Sequence, residues 1–259
     1  MKFSLKTIAA AVVMAVAAAG AQAAIDNGTS GNGELFFSIW DANGSYTFDL
    51  NKTITVFESD VAAAGAIDQT YALSNFATFL AGVQDTSLLK FNLVAVDQSG
   101  PRRFLTTFDS VTVNNPPTTN DSIRTSIANA NAFASSVNTV IGAADNVAVN
   151  SASAAYAGKV TFNENMNGFL GFQNGGTLAD NSYANGMGFM RINAATTGTA
   201  ESVYNPYVDE SKAVRIWIDG NNLHISAAVA AVPEPESYAM LLAGLGMIGF
   251  MARRRDKRA

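Results

Sequence analysis

Carboxylates are the side chains of this chain that come closest to a catalytic set. Glycoside hydrolysis needs only two of them, placed on either side of a substrate. Between residues 24 and 232 the only glutamates are Glu34, Glu58, Glu164, Glu201 and Glu210. None of the five stands in a motif that assigns it a role. A glycan-processing hydrolase is therefore an alternative, and the sequence itself names no catalytic residue.

The sole histidine, His224, cannot build a metal cluster alone. A Ser-His-Asp triad would need it in a cleft beside a serine and an aspartate. It lies instead in a segment of alternating polarity, which predicts a strand with a solvated or stacked imidazole on its outer face. The chain has no cysteine, so thiol nucleophiles and cysteine–histidine zinc sites are excluded. We expect no cofactor and no metal.

One short segment resembles the beginning of a calcium loop. Asp41, Asn43 and Ser45 have the spacing of its first three ligands, but Lys52 stands where the bidentate glutamate should be. The segment is therefore not an EF-hand. An asparagine-rich hairpin turn explains it better, and a structural calcium ion is the alternative.

Two tryptophans are the best indication of a binding face. If Trp40 and Trp217 lie on β-hairpins, the alternation of side chains along a strand places both on the side away from the core. Trp217 then lies beside His224. An indole among Ser, Thr, Asp and Arg suits stacking and hydrogen bonding to a sugar. In the alternative, a helix or a second sheet covers these faces and the tryptophans are core residues.

The two hairpins follow from turn residues between alternating segments. In the first, Asn43-Gly44 predicts a two-residue loop that places Ile39 opposite Phe48. In the second, a Gly220-Asn221 loop places Ile218 opposite Leu223. Both hairpins should have one apolar face directed into the core.

The rest of the chain reads mainly as short strands separated by Asn- and Gly-rich turns. Apolar residues at helical spacing predict one amphipathic helix over residues 121–141, capped by Asn120 or Asp121. Because its apolar stripe is rich in alanine, this helix should lie close to a sheet. Residues 59–66 fit a short helix or a loop. Further strands are predicted at residues 53–57, 88–96, 103–108, 111–113, 159–162, 168–172 and 186–192.

This pattern predicts a mainly β fold, a single antiparallel β-sandwich or jelly-roll-like domain with one helix. Residues 24–232 carry 18 acidic and 9 basic side chains, a net charge of −9. Nucleic acid is an unsuitable partner for such a surface, because phosphate binding needs a basic footprint.

The C-terminal tail has the pattern of a membrane stop-transfer segment. Residues 238–252 carry no charge, and five basic residues follow within the last seven. These 15 residues would form a helix of about 22 Å, short for the roughly 30 Å hydrocarbon core. We predict a transmembrane helix at about 238–252 and a basic tail at 253–258 on the cytoplasmic side.

This tail resembles the PEP-CTERM sorting signal of Gram-negative bacteria that make exopolysaccharide. The resemblance is carried by the apolar run and by the residues Val232, Pro233, Glu234, Pro235, Glu236, Arg253, Arg254 and Arg255. It implies recognition by an exosortase, transient residence in the inner membrane, and delivery to the cell surface or extracellular matrix. It implies nothing about the domain in front of the tail.

The N-terminus carries a matching export signal. Lys2 and Lys6 precede an apolar run over residues 8–19, and Ala21 and Ala23 form a small-x-small cleavage site. The mature protein should begin at Ala24, after the Sec translocon and signal peptidase have acted. The chain therefore divides into a signal peptide (1–23), a β-rich exported domain (24–231) and the sorting signal (232–259).

These signals predict where the protein goes more firmly than what it does. We expect a non-enzymatic protein of the cell surface, with a structural or interaction role in the exopolysaccharide or biofilm matrix. A carbohydrate-binding module and a glycan hydrolase are the two alternatives.

Overall fold

The computed structural model describes residues 24–63, 67–100, 102–108, 118–162, 170, 172–178, 186–194, 198–209 and 212–227. The chain divides into two compact units, Met1–Ala227 and Ala228–Ala259. The predictions for the signal peptide, with Ala21 and Ala23, and for the sorting tail lie outside the described residues. So do Glu164, Glu210 and the predicted strand at 111–113.

In the described part of the chain, every helix is too short or too polar to cross a membrane.

Strands dominate the described domain. They are β1 (Glu34–Trp40), β2 (Gly44–Thr53), β3 (Asp68–Ala72), β4 (Lys90–Val96), β5 (Arg103–Phe108), β6 (Asn146–Asn150), β7 (Gly176–Thr177), β8 (Met187–Asn193), β9 (Val203–Pro206), β10 (Val208–Asp209), β11 (Lys212–Ala213), β12 (Arg215–Asp219) and β13 (Asn222–Ser226). The helices are α1 (Ile54–Ala62), α2 (Phe76–Ala81) and α3 (Asn120–Ile141), with a 3₁₀ turn at Thr86–Leu88.

Eleven of these strands form one curled antiparallel sheet, in the order β3-β13-β12-β8-β5-β4-β1-β2-β6. Strand β7 pairs with β4 and β9 pairs with β8, while β10 and β11 form a separate ribbon. The prediction of a mainly β, antiparallel fold is confirmed, and the sheet is consistent with a β-sandwich-like domain.

Both faces of the sheet are covered by apolar side chains. Alternate residues of β1 supply the two sides: Phe37 and Ile39 enter one core, and Phe36 and Trp40 enter the other. The first core also receives residues of α1 and α2. The second receives the apolar stripe of α3. A strand with a core on each side has no solvent face. The side of β1 that was predicted to face away from the core, with Trp40, is therefore also covered.

The helix α3 is confirmed within one residue of its predicted start. Its N-cap is Thr119, whose hydroxyl accepts a hydrogen bond from the backbone N–H of Ser122. The cap predicted at Asn120 or Asp121 was therefore one or two residues late. Ile123, Ile127 and other apolar residues of its stripe are buried against the sheet, as the sequence predicted.

One of the two predicted hairpin registers is confirmed, and the other is shifted. In β12–β13, Ile218 pairs with Leu223 as predicted. In β1–β2, Ile39 pairs with Tyr46 rather than with Phe48. The shift is two positions, so the division of side chains between the two faces is preserved.

Two predicted strands are wrong. Residues 54–57 begin α1, because the Thr53 hydroxyl accepts from the N–H of Val56 and caps the helix. Residues 159–162 form a turn in which the N–H of Phe162 donates to the carbonyl of Lys159. The edge strands β3 and β6 were not predicted.

Candidate functional site

A surface hollow lies at the turn end of the β1–β2 hairpin. Its volume is about 230 Å³, and it is lined by Trp40, Asp41, Ala42, Leu88, Lys90, Tyr156 and Gly158. Trp40 and Lys90 are directly paired across β1 and β4. The Tyr156 hydroxyl donates to the carbonyl of Asp41, which fixes one wall to the hairpin turn. Leu88 is 65% exposed at the rim.

Of the predicted binding face, Trp40 alone lines this hollow. The sequence did not identify Leu88, Lys90 or Tyr156, because they come from separate segments that only the sheet brings together. No contiguous motif in the sequence joins these three residues.

The second tryptophan lies elsewhere, on the hairpin β12–β13. Trp217 pairs with His224, and the two rings stack with centroids 4.9 Å apart and planes 6° apart. The Thr70 hydroxyl lies 3.0 Å from Nδ1 of His224. The predicted neighbours and the predicted stacked imidazole are therefore confirmed.

Both tryptophans are largely buried. Trp40 and Trp217 are each 5% exposed. Trp40 belongs to the core that α3 and residues 155–157 build over its side of the sheet. This matches the alternative in which a helix covers the face, and a ligand face at Trp40, Trp217 and His224 stays a prediction.

The densest charged cluster surrounds Glu58 on α1. Its carboxylate accepts from Nη1 of Arg103 at 2.6 Å, from Nη1 of Arg191 at 3.0 Å and from the Tyr207 hydroxyl at 3.0 Å. Burial and the Glu58 carboxylate raise the pKa of Tyr207, so this hydroxyl stays a donor. The Glu58 carboxylate thus accepts its hydrogen bonds from other side chains of the protein.

Arg103 joins this cluster to a fully buried carboxylate. Its Nε donates to Oδ2 of Asp97 at 2.6 Å, and the N–H of Gly33 donates to Oδ1 at 3.2 Å. Asp97 has no exposed surface. The guanidinium lies between two carboxylates, whose two negative charges are balanced by Arg103 together with Arg191, and these contacts connect α1 to the sheet.

The structure also describes Glu34 and Glu201. Glu34 accepts from the backbone N–H of Asp26 at 2.8 Å, and burial raises its pKa. Glu201 pairs with Thr119 through its backbone, in an isolated bridge at the start of α3, and Glu201 itself is exposed.

The segment that resembled a calcium loop is a hairpin turn. Oδ1 of Asp41 accepts from the N–H of Asn43 at 2.8 Å and of Gly44 at 2.9 Å. The Ser45 hydroxyl accepts from the N–H of Ala157 at 3.0 Å. Among the described residues, no group of three or more His, Cys, Asp or Glu side chains is placed to hold a metal.

A buried carboxylate with an unusual pKa lies on β2. Asp49 is 4% exposed and accepts from the N–H of Asn51 at 2.8 Å. Burial raises its pKa to about 7, with smaller contributions in the same direction from the charges of Glu34 and Asp145, and the Asn51 bond opposes the shift. This group titrates near neutral pH.

Comparison with known proteins assigns the tail rather than the domain. Residues 231–255 match the PEP-CTERM protein-sorting motif. The match contains all the predicted motif residues, from Val232 to Glu236 and from Arg253 to Arg255, and confirms the resemblance. No curated protein and no solved structure matches the chain.

The chain thus carries the signal of a PEP-CTERM domain-containing protein sorted by exosortase. The motif implies an exported protein with a cell-surface or extracellular location.

Proposed function

We propose that the exported domain is a non-enzymatic structural or interaction module of the exopolysaccharide matrix. The sorting motif at residues 231–255 is the observation that carries this proposal, because it directs the domain to the surface on which such a matrix is built. Export begins with the Sec translocon and signal peptidase, and the chain resides transiently in the inner membrane before the exosortase acts.

The partners of Glu58 and Asp97 favour a role without catalysis for these two carboxylates. A glycosidase needs one carboxyl group that can give a proton and a second that faces the sugar. Glu58 is held by two arginines and a tyrosine, and Asp97 is buried against Arg103. Both are therefore engaged in holding elements together.

Matrix association tests the proposal. The secreted protein is expected to sediment with the exopolysaccharide of its host and to be released when the polysaccharide is digested. A strain that makes no polysaccharide is the control. Recovery of the protein in the soluble fraction of both strains would contradict a matrix role.

Carbohydrate binding at the hollow is the second candidate. The hollow combines the edge of Trp40 with the hydroxyl-bearing ring of Tyr156, two groups that suit contact with a sugar. Addition of host oligosaccharide should change the Trp40 fluorescence of a Trp217→Phe variant. A Leu88→Asp variant, altered only at the exposed rim, should weaken this response, and an unresponsive Trp40 would exclude the site.

A further inference from the structure

A row of three buried polar side chains crosses the centre of the sheet on the α3 side. Ser38 of β1 pairs with Thr47 of β2 on one side and with Asn92 of β4 on the other. Ser38 and Asn92 have no exposed surface, and Thr47 is 1% exposed. Three polar residues thus meet beside Phe36, Trp40 and Val94, which belong to the apolar core on this side of the sheet.

The hydrogen bonds within this row are incomplete. The hydroxyls of Ser38 and Thr47 lie 3.2 Å apart, so one donates to the other and a second hydroxyl hydrogen is left over. Among the described residues, neither Nδ2 nor Oδ1 of Asn92 has a hydrogen-bond partner. A buried amide without partners costs about 1–3 kcal/mol, and native proteins rarely leave one so.

The side chains of the row itself favour a neutral ligand. None of the three side chains carries a charge. The pair Trp40–Lys90 lies on one side of the row, and the pair Phe36–Asp49 lies on the other. Because same-face neighbours along a strand are about 7 Å apart, the row lies one pair inward from the hollow.

We propose that Asn92, Ser38 and Thr47 form a buried binding site for a neutral hydroxyl group. Directly paired residues have Cβ atoms about 4.5–5.5 Å apart, a span that one oxygen can bridge. Such an oxygen accepts from the amide Nδ2 and donates to the amide Oδ1 or to a hydroxyl of the row. Its source is either a resident water molecule or a sugar hydroxyl, which reaches the buried row from the hollow only by displacing the side chains of Trp40 and Lys90.

The two sources of the hydroxyl group differ in whether they depend on the proposed function. A resident water is independent of it, whereas a sugar hydroxyl rests on carbohydrate binding at the hollow. Loss of matrix association would therefore remove the second source and leave the first.

Whether the variant Asn92→Leu lowers or raises Tm tests the site. Leucine has nearly the shape of asparagine, so Asn92→Leu removes the amide without leaving a large cavity. If the amide holds a hydroxyl ligand, Tm should fall by about 2–6 °C. If Asn92 is simply unpaired, removing the buried amide should raise Tm, and that result would overturn the proposal.

A double-mutant cycle tests whether the row shares one ligand. Asn92→Leu and Ser38→Ala remove groups that are directly paired but do not bond each other, so a molecule that bridges them should make their effects on Tm non-additive. The control pair combines Asn92→Leu with Ser126→Ala, whose hydroxyl donates to Ser122 in its own helix. This pair should be additive.

A crystal structure of the secreted wild-type protein decides the matter if the variants do not fold. Density within hydrogen-bond distance of the Asn92 amide is expected. A single peak that persists after soaking in glucose identifies water, and its replacement by sugar density identifies the second source. The absence of any density there would overturn the proposal.

Discussion

The indole of Trp217 lies flat on the imidazole of His224, with ring centroids 4.9 Å apart across the β12–β13 pair. Burial lowers the pKa of this histidine, and the charges of Asp219 and Asp68 act in the opposite direction. The neutral ring is therefore favoured in the folded protein, and its protonation occurs directly against the indole.

This contact predicts a pH-dependent fluorescence signal. As the pH falls below about 6.5, the imidazolium that forms should quench Trp217. A Trp40→Phe variant should keep the transition, because it retains the stacked pair, and a His224→Gln variant should lose it. An unchanged transition in His224→Gln would show that another group is responsible.

Asp49 should make the folded protein less stable at alkaline pH. Its pKa of about 7 is higher than the ordinary value of 3.8, so the folded state binds the proton more tightly than the unfolded chain does. Its contribution to stability therefore rises as the pH falls from above 7 towards 4.

Replacement of Asp49 by Asn should remove this dependence. The variant should be more stable than the wild type at pH 8, by at most about 4 kcal/mol, and nearly equal to it below pH 4. Denaturant unfolding at several pH values measures the difference. A variant that is equally or less stable at pH 8 would contradict the raised pKa.

The cluster around Arg103 should be the most sensitive ion-pair network of the domain. Arg103→Ala leaves the Asp97 carboxylate buried without its partner, for an expected loss of about 3–5 kcal/mol. The matched control is Lys52→Ala, which breaks the more exposed pair with Asp60 and should cost about 1 kcal/mol or less. Chemical denaturation compares the two, and equal losses would contradict the role of burial.

One amide of α3 binds both backbone groups of Ile25, the residue after the predicted mature N-terminus. Asn138 accepts from the N–H of Ile25 at 2.9 Å and donates to its carbonyl at 2.9 Å, and the Ile25 side chain is buried. Asn138→Ala should therefore speed hydrogen exchange at the Ile25 amide while leaving the core strand β4 protected. Ser136→Ala, on the exposed side of the helix, is the control, and slow exchange at Ile25 in both variants would contradict the anchor.

The two hairpins show what the sequence could and could not predict. In β12–β13, Gly220 has a φ of +56° at the first loop position, as a two-residue turn of this kind requires, and the predicted register is correct. In β1–β2, the Asp41 carboxylate caps the N–H groups of Asn43 and Gly44 and moves the loop one residue earlier.

Gly44 itself serves a different purpose from the one predicted. Its φ is not positive, and a Cβ at this position would lie 2.7 Å from the carbonyl of Val149 on β6. Glycine is needed here so that the unpredicted edge strand can approach. A local turn motif cannot show a distant strand.

The same limitation explains the tryptophans and the site. Alternation correctly predicted which side of the sheet Trp40 occupies, but not that α3 and residues 155–157 cover that side. The hollow and the row at Asn92 depend on strand neighbours that are far apart in sequence. The sorting tail was recognisable because its signal is contiguous.

The most direct test of the account is the intact mass and the location of the protein in its host, with and without residues 232–259. The full-length precursor should yield a product that begins near Ala24, ends near the Pro233-Glu234-Pro235 motif and is found outside the cell, whereas the truncated chain should not reach the surface. A mature protein that keeps Arg253 to Arg255 and remains in the inner membrane would contradict sorting by exosortase.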